Sequence, residues 1–364
     1  MDDPLAHLPE PQPDVERLKT VLRRGCPDRI PLFELAIAEE VLAELNAGSL
    51  LPPPADGEKS RLRAWAEQRV RLWWRLGYDY YRVRVNIPFT VDYGQASEGA
   101  PAAVVGRQWV NEQQGLIQTR RDIERYPWPS PDSFGFEQAE AAIACLPEGM
   151  EAIGFSGGVL EWAGTLMGLE HFMIMLHEEP DLVKEVVDRV GSLLLAAFER
   201  FCTMPEVFAL WLGDDMGFKT ATLISPDHLR EYILPWHRRF AELAHRTGRF
   251  FLLHSCGYVE SVMPDLIEYV GIDGKHSFED AIVPVEEFKG RWGDRVAVLG
   301  GLDVDLLSRA PREVVCRRTG EILERCSPGG GYACGSGNSV TNYVPADNFL
   351  AMVETVHRFN GRMS

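Results

Sequence analysis

Beyond an acidic, proline-rich start, short apolar runs alternate with amphipathic stretches, the order that parallel strands and crossover helices leave in a sequence. Eight runs have strand length: 29–34, 80–85, 151–155, 208–213, 250–254, 271–275, 296–300 and 331–333. The stretches between them carry the helical period. Leu62, Trp65, Leu72 and Leu76 fall on one stripe that Arg69 interrupts, and Gly77 follows as a stop. Leu182, Val186, Val190, Leu193 and Ala197 form a second. A third, Leu229, Ile233, Trp236, Phe240 and Leu243, starts at Ser225-Pro226 and stops at Gly248, with Pro235 expected to kink it.

Eight strands with helices between them predict a (β/α)8 TIM barrel of the α/β class, with 1–364 as one domain. Residues 1–28 read as an N-terminal helical extension. Three prolines at 52–54 mark a stiff linker over 51–58. The long connection of about 86–150 reads as an insertion, with 107–110 and 116–119 flanking Gln113-Gln114-Gly115 as a hairpin lid over the barrel mouth.

Composition narrows the partners. With 45% hydrophobic and 25% charged residues the chain can bury a large core. A formal charge of −17 leaves no basic stripe for nucleic acid or an anionic membrane, and no apolar run reaches spanning length. The acidic start is unlike a signal peptide, so a cytoplasmic protein is expected. Seven scattered cysteines do not form a disulfide framework. A homodimer is compatible with all of this.

The residues that can carry chemistry lie at the ends of the expected strands, which in a barrel share one mouth. His254 and Cys256, two apart at a strand end, point to the same side, and Cys334 ends the eighth strand. One imidazole and two thiolates suit zinc (Zn2+), with a fourth position open; ordinary buried core cysteines are the competing reading. Carboxylates gather there too: Glu34, Asp214, Asp215, Glu279, Asp280 and Asp303. Glu34 and Asp214 are the candidate catalytic acid–base groups. Asp215, His276, Glu279 and Asp303 are candidate substrate contacts, although each could equally serve as a helix cap, an ion-pair partner or a structural histidine. With no basic cluster evident at these ends, the expected ligand is neutral or cationic.

At these residues the chain resembles the uroporphyrinogen decarboxylase-like superfamily, specifically its zinc-dependent, corrinoid-linked methyltransferase branch. The match is carried by Pro27-Asp28-Arg29-Ile30-Pro31, Gly154-Phe155-Ser156-Gly157-Gly158 with Gly168-Leu169-Glu170, Ser225-Pro226 with 232–235, His254-Ser255-Cys256-Gly257, and 335–348. The branch's His-x-Cys and distant Cys fall on His254, Cys256 and Cys334. The resemblance implies methyl transfer between a small substrate (a methoxylated aromatic, a methylated amine or a thiol) and a cobalamin. The corrinoid-binding pattern Asp-x-His-x-x-Gly is absent, so the corrinoid is expected on a separate corrinoid protein or as a free co-substrate. Authentic uroporphyrinogen decarboxylase carries a Met-Arg-Gln-Ala-Gly-Arg segment after its first strand, where this chain has the acidic 32–40. A decarboxylase of a small carboxylated or porphyrinogen-like substrate, or a non-catalytic zinc-stabilised binding protein, are the alternatives.

Overall fold

The computed structural model describes residues 3–54, 58–91, 93–94, 109–110 and 115–363. Its centre is a parallel, TIM-barrel-like sheet of seven strands: β1 Tyr80–Arg84, β4 Glu151–Gly157, β5 Val207–Gly213, β6 Phe250–His254, β7 Gly274–His276, β8 Ala297–Leu299 and β9 Tyr332–Ala333, each paired with the next. Two further short strands, β2 Tyr93–Gly94 and β3 Trp109–Val110, pair antiparallel outside it. All residues of β5 are buried, as expected of a strand covered on both faces.

The first expected strand, 29–34, is reduced to one bridge, Leu32 beside Cys334. The Pro31 carbonyl accepts from the Cys334 N–H at 2.9 Å, and the Phe33 N–H donates to the Cys334 carbonyl at 2.8 Å. Proline offers no donor, so a longer ladder cannot form through it. On the other side a side chain does the joining: the Tyr80 hydroxyl accepts from the Glu34 N–H at 2.9 Å and donates to the Glu34 carbonyl at 2.6 Å.

Helices follow the sequence pattern closely. The first stripe is the helix Lys59–Leu76, ended by Gly77 at φ +97°, and the second is Pro180–Phe201. The third is capped by the Ser225 side chain, which accepts from the His228 N–H at 3.1 Å. Pro235 does not simply bend it: residues 229–233 form a π-helical turn ahead of the helix Leu234–Arg246. The wider turn absorbs the hydrogen bond that proline cannot make.

The expected strand 271–275 lies slightly late, because Gly271 at φ +83° still ends the preceding helical turn; β7 therefore includes His276, in register with His254. The lid hairpin is corrected in its pairing. Trp109–Val110 pairs with Tyr93–Gly94, not with 116–119, while positions 107–108 and 113–114 lie outside the described residues. The Gly115 and Ile117 N–H groups instead donate to the Met167 and Leu166 carbonyls, satisfying the end of the helix Val159–Met167.

The N-terminal extension closes the end of the barrel opposite the mouth. Leu18, Val21 and Leu22 of the helix Glu16–Leu22 are buried, and Lys19 bonds Glu151 at the start of β4 at 2.7 Å. Arg23 lies over the Phe250 ring at the start of β6. Among the described residues no single helix is long and apolar enough to cross a membrane.

Candidate metal centre and active site

Parallel pairing sets Gly157, Gly213, His254, His276 and Leu299 side by side at the strand ends. His254 and His276 are buried there, their rings stacked with centroids 5.0 Å apart and their Nδ1 atoms at 2.7 Å. Burial holds both imidazoles neutral. One Nδ1 must then donate to the other. Among the described residues His276 Nε2 has no partner within hydrogen-bond geometry, and the Ser336 carbonyl is the group that favours its protonation. A proton on His276 Nε2 leaves its Nδ1 as acceptor, so His254 donates from Nδ1 and keeps the Nε2 lone pair free.

That lone pair looks onto a sulfur and a carboxylate. Cys256 Sγ lies 3.4 Å from His254 Nε2, and Asp215 Oδ1 lies 3.6 Å from it. Ligand atoms of Asp215, His254 and Cys256 are all within 4.8 Å of one another. Asp215 is fixed by accepting the Cys256 N–H at 2.8 Å, and the sulfur receives the Asn338 amide at 3.1 Å and the Ser277 hydroxyl at 3.5 Å. Burial first, then the Asp215 charge, push the Cys256 thiol up to about 12. This set of nitrogen, sulfur and oxygen donors suits a divalent cation, and zinc accepts all three. His276 behind His254 supplies the orienting contact that metal-bound histidines commonly have.

Cys334, expected in the same group, is not among the three whose ligand atoms lie within 4.8 Å of one another. It is buried, with Tyr332, Cys326 and Glu34 as the groups that act on its thiol, which burial pushes up to about 12. Asp215, expected to contact substrate, stands beside His254 and Cys256, and Asn338, not among the expected residues, donates to the Cys256 sulfur. The chain passes from Cys334 to Asn338 against neighbouring backbone: a Cβ on Gly335 would sit 1.7 Å from the Phe33 carbonyl oxygen.

The other expected site residues divide. Asp214 is fully buried and its carboxylate is committed: it accepts the N–H groups of Val159, Leu160 and Glu161 at 3.0, 3.1 and 3.0 Å and contacts His237 Nε2 at 2.7 Å. The catalytic role read for it gives way to capping of the helix Val159–Met167, whose N-cap, Gly158, has no side chain of its own to offer. Asp303, expected to contact substrate, is placed as a cap, accepting from Asp305 and Leu306 at 2.7 and 3.2 Å and from the Asp280 N–H at 2.8 Å. Asp280 pairs with Arg318. His276 is too deeply buried to meet substrate and acts through His254. Glu279 is half-buried, its carboxyl raised by burial and by Asp303 and Asp215.

Glu34 lies wholly inside the protein, its carboxylate accepting the Ser336 N–H at 2.7 Å. The Ser336 hydroxyl is within bonding distance of both the Glu34 carboxylate and the Asn338 carbonyl. One hydroxyl proton serves one acceptor, so a protonated Glu34 donating to Ser336 satisfies the whole chain. Burial raises this carboxyl to about 8, in agreement. An unfolded chain releases the proton near 4.5 and the folded one near 8, so stability falls as pH rises across that window. Glutamine reproduces the protonated acid's hydrogen bonds. Glu34→Gln is therefore expected to gain on the native protein by up to about 1.4 kcal/mol per pH unit between pH 5 and 8. Urea titrations at several pH values check this, and parallel pH profiles for the two proteins would refute it.

A cavity of roughly 390 Å3 opens beside Asp215, lined also by Arg84, Glu161, Trp162 and Leu223. Glu161 was not anticipated. It is open to the cavity but enclosed by protein around it, and that enclosure, with Asp214 and Asp215 beside it, raises its carboxyl to about 8. Arg82 and Arg84 on β1 also face this end, against the expectation of a mouth without basic groups.

Residues 113–359 match the uroporphyrinogen decarboxylase (URO-D) family. The chain belongs to that family. Among curated relatives, uroporphyrinogen decarboxylase of Anaeromyxobacter dehalogenans is 24% identical over 290 residues, covering 76% of each chain. Methylated-thiol–coenzyme M methyltransferase of Methanosarcina mazei is 29% identical over 192 residues, 52% of this chain and 48% of that protein. A solved structure of a methyltransferase from Methanosarcina mazei superposes with TM-score 0.68 at 17% identity, covering 96% of this chain and 99% of that one. This URO-D family enzyme thus has both decarboxylases and methyltransferases among its relatives.

Proposed function

We propose that this URO-D family protein is a zinc-dependent methyltransferase that moves a methyl group between a small substrate and a corrinoid. The corrinoid would come on a separate protein or free. The observation that carries the reading is the convergence of His254 Nε2, Cys256 Sγ and Asp215 at the strand ends, open on one side to a cavity. Zinc held by these three would act as a Lewis acid toward the substrate's oxygen, nitrogen or sulfur.

The protein's own groups prepare that place. His276 fixes the His254 tautomer and ring direction. Asn338 and Ser277 direct N–H and O–H groups at the Cys256 sulfur, which steadies it as an anion. Asp215 is held at the Cys256 backbone, so the donors keep their spacing before any ion arrives. Glu161, poised near neutral pH in the adjoining cavity, is placed to exchange a proton with a bound substrate.

The test combines metal analysis with spectroscopy. Protein purified without chelator should hold about one zinc per chain. Methylcobalamin mixed with a panel of thiols, and cobalt(I) corrinoid mixed with methoxylated aromatics and methylated amines, should reveal one productive direction in the visible spectrum. Well under one zinc per chain, together with carbon dioxide release from a small carboxylated substrate, would replace this reading with the decarboxylase one.

A further inference from the structure

We infer that Arg82 and Arg84 form an anion subsite, and that the substrate taken at this mouth bears a small oxyanion (carboxylate or sulfonate) besides its reacting group. The strand places Tyr80, Arg82 and Arg84 on one face, and Tyr80 marks that face as the barrel interior, since its ring stacks on Phe33 at 5.2 Å. Arg82 lies over the Phe155 ring at 4.6 Å, and Phe155 in turn meets the buried Trp211. Its guanidinium is thus set among aromatic side chains, within the electrostatic reach of His254. Arg84, two residues nearer the mouth, lines the cavity that Asp215 borders.

What sets Arg82 apart is its lack of counter-charge among the described residues. Arg69, buried in the helix that precedes β1, is by contrast matched by Glu39. Arg82 has no hydrogen bond or ion pair among the described residues; its strongest charged neighbour is Arg84, a like charge. A guanidinium cannot shed its proton to escape burial. Arg82 set among aromatic rings with no acidic group beside it among the described residues, and Arg84 exposed two residues nearer the mouth, leave a place in a chain of net charge −17 that an anion from outside would fill. The planar forks suit a carboxylate or sulfonate approached end-on, while the reacting part of the same small molecule extends past Asp215 toward His254 and Cys256.

The inference adds a substrate feature to the proposed site and rests on the mouth being where substrate binds; it needs neither metal nor turnover. Thermal unfolding of the whole protein is followed in Tris chloride at fixed ionic strength, with propionate, ethanesulfonate or tetramethylammonium replacing part of the salt. Propionate or ethanesulfonate should raise the melting temperature in a saturable way that chloride and tetramethylammonium do not reproduce. The stronger of the two identifies the headgroup. Arg82→Met should melt higher than the native protein without anion, because an uncompensated charge has gone, and should bind the anion at least tenfold more weakly. Arg82→Lys, which keeps charge but loses the fork, should fall between. Unchanged anion binding in Arg82→Met, or no anion-specific stabilisation of the native protein, would overturn the subsite. Either result leaves the metal reading standing, since metal content is measured separately.

Discussion

Cys256→Ser and His254→Ala are expected to emerge from purification without metal and without methyl transfer, while Cys334→Ala keeps both. His254, Cys256 and Asp215 are the residues whose donor atoms share one space. Removing one of three donors from such a site leaves too few to retain a divalent ion, and the Lewis-acid contribution lost with it is about 4 kcal/mol, roughly a thousandfold in rate. Cys334 is a small buried side chain that is not among those three donors, so its truncation should cost on the order of 1 kcal/mol in stability and little else. Asn338→Ala should lie between the extremes, with metal affinity reduced about 10- to 100-fold because the sulfur loses a donor that steadies it. Metal content by elemental analysis, alongside the corrinoid assay, gives the comparison directly. Retention of metal by Cys256→Ser, or its loss from Cys334→Ala, would mean that the ligand set has been drawn wrongly.

Asp214→Ala should be the most destabilising single change at this end of the barrel, by about 3–5 kcal/mol. The alanine leaves the first N–H groups of the helix Val159–Met167 and the buried His237 without their shared acceptor. No water can replace it easily, because a Cβ on Gly158 alone would lie 2.0 Å from the Asp214 Cγ, a measure of how closely the backbone is wrapped around the carboxylate. Asp214→Asn keeps the shape and one acceptor oxygen and should recover part of the loss. Urea unfolding of the three proteins measures the series. Native-like stability in Asp214→Ala would show that the helix end finds other partners, and a catalytic role for Asp214 would have to be reconsidered.

The parallel architecture was legible because strands buried on both faces leave continuous apolar runs such as 207–213, and helices leave their own spacing between them. His254 and Cys256 were legible for the same reason of geometry: residues two apart at a strand end share a side. Asp214 and Asp215 were harder. Both follow β5, but only one can turn toward the mouth, and which one depends on how the strand leaves the sheet. Cys334 illustrates the limit more sharply, because being at the correct end of a strand does not say whether a thiol gathers with the other donors or lies beside the Tyr332 hydroxyl. Asn338 reaches the sulfur through an irregular loop, which no periodicity describes. Glu161 could have been found, since the first turn of a helix that follows a barrel strand opens on the same mouth as the strand end itself. The arginines of β1 went unnoticed as a pair because they lie inside an otherwise ordinary strand, where alternation alone would have set them on one face.

The curled sheet closes on itself only through a seam. Elsewhere neighbouring strands are zipped by successive backbone hydrogen bonds, so parting them means breaking several at once. Between residue 34 and β1 the stitch is a single phenol oxygen, that of Tyr80, and on the far side of the same segment Pro31 leaves the zip incomplete. A fluctuation that begins by releasing that one side chain can therefore loosen this edge without breaking a strand ladder. The segment that would move carries Glu34, and Glu34 holds Ser336, which in turn holds the turn presenting Asn338 to Cys256. Breathing of the seam and placement of the amide at the sulfur are thus one mechanical event, so the tightness of the barrel's closure sets how steadily its reactive end is held.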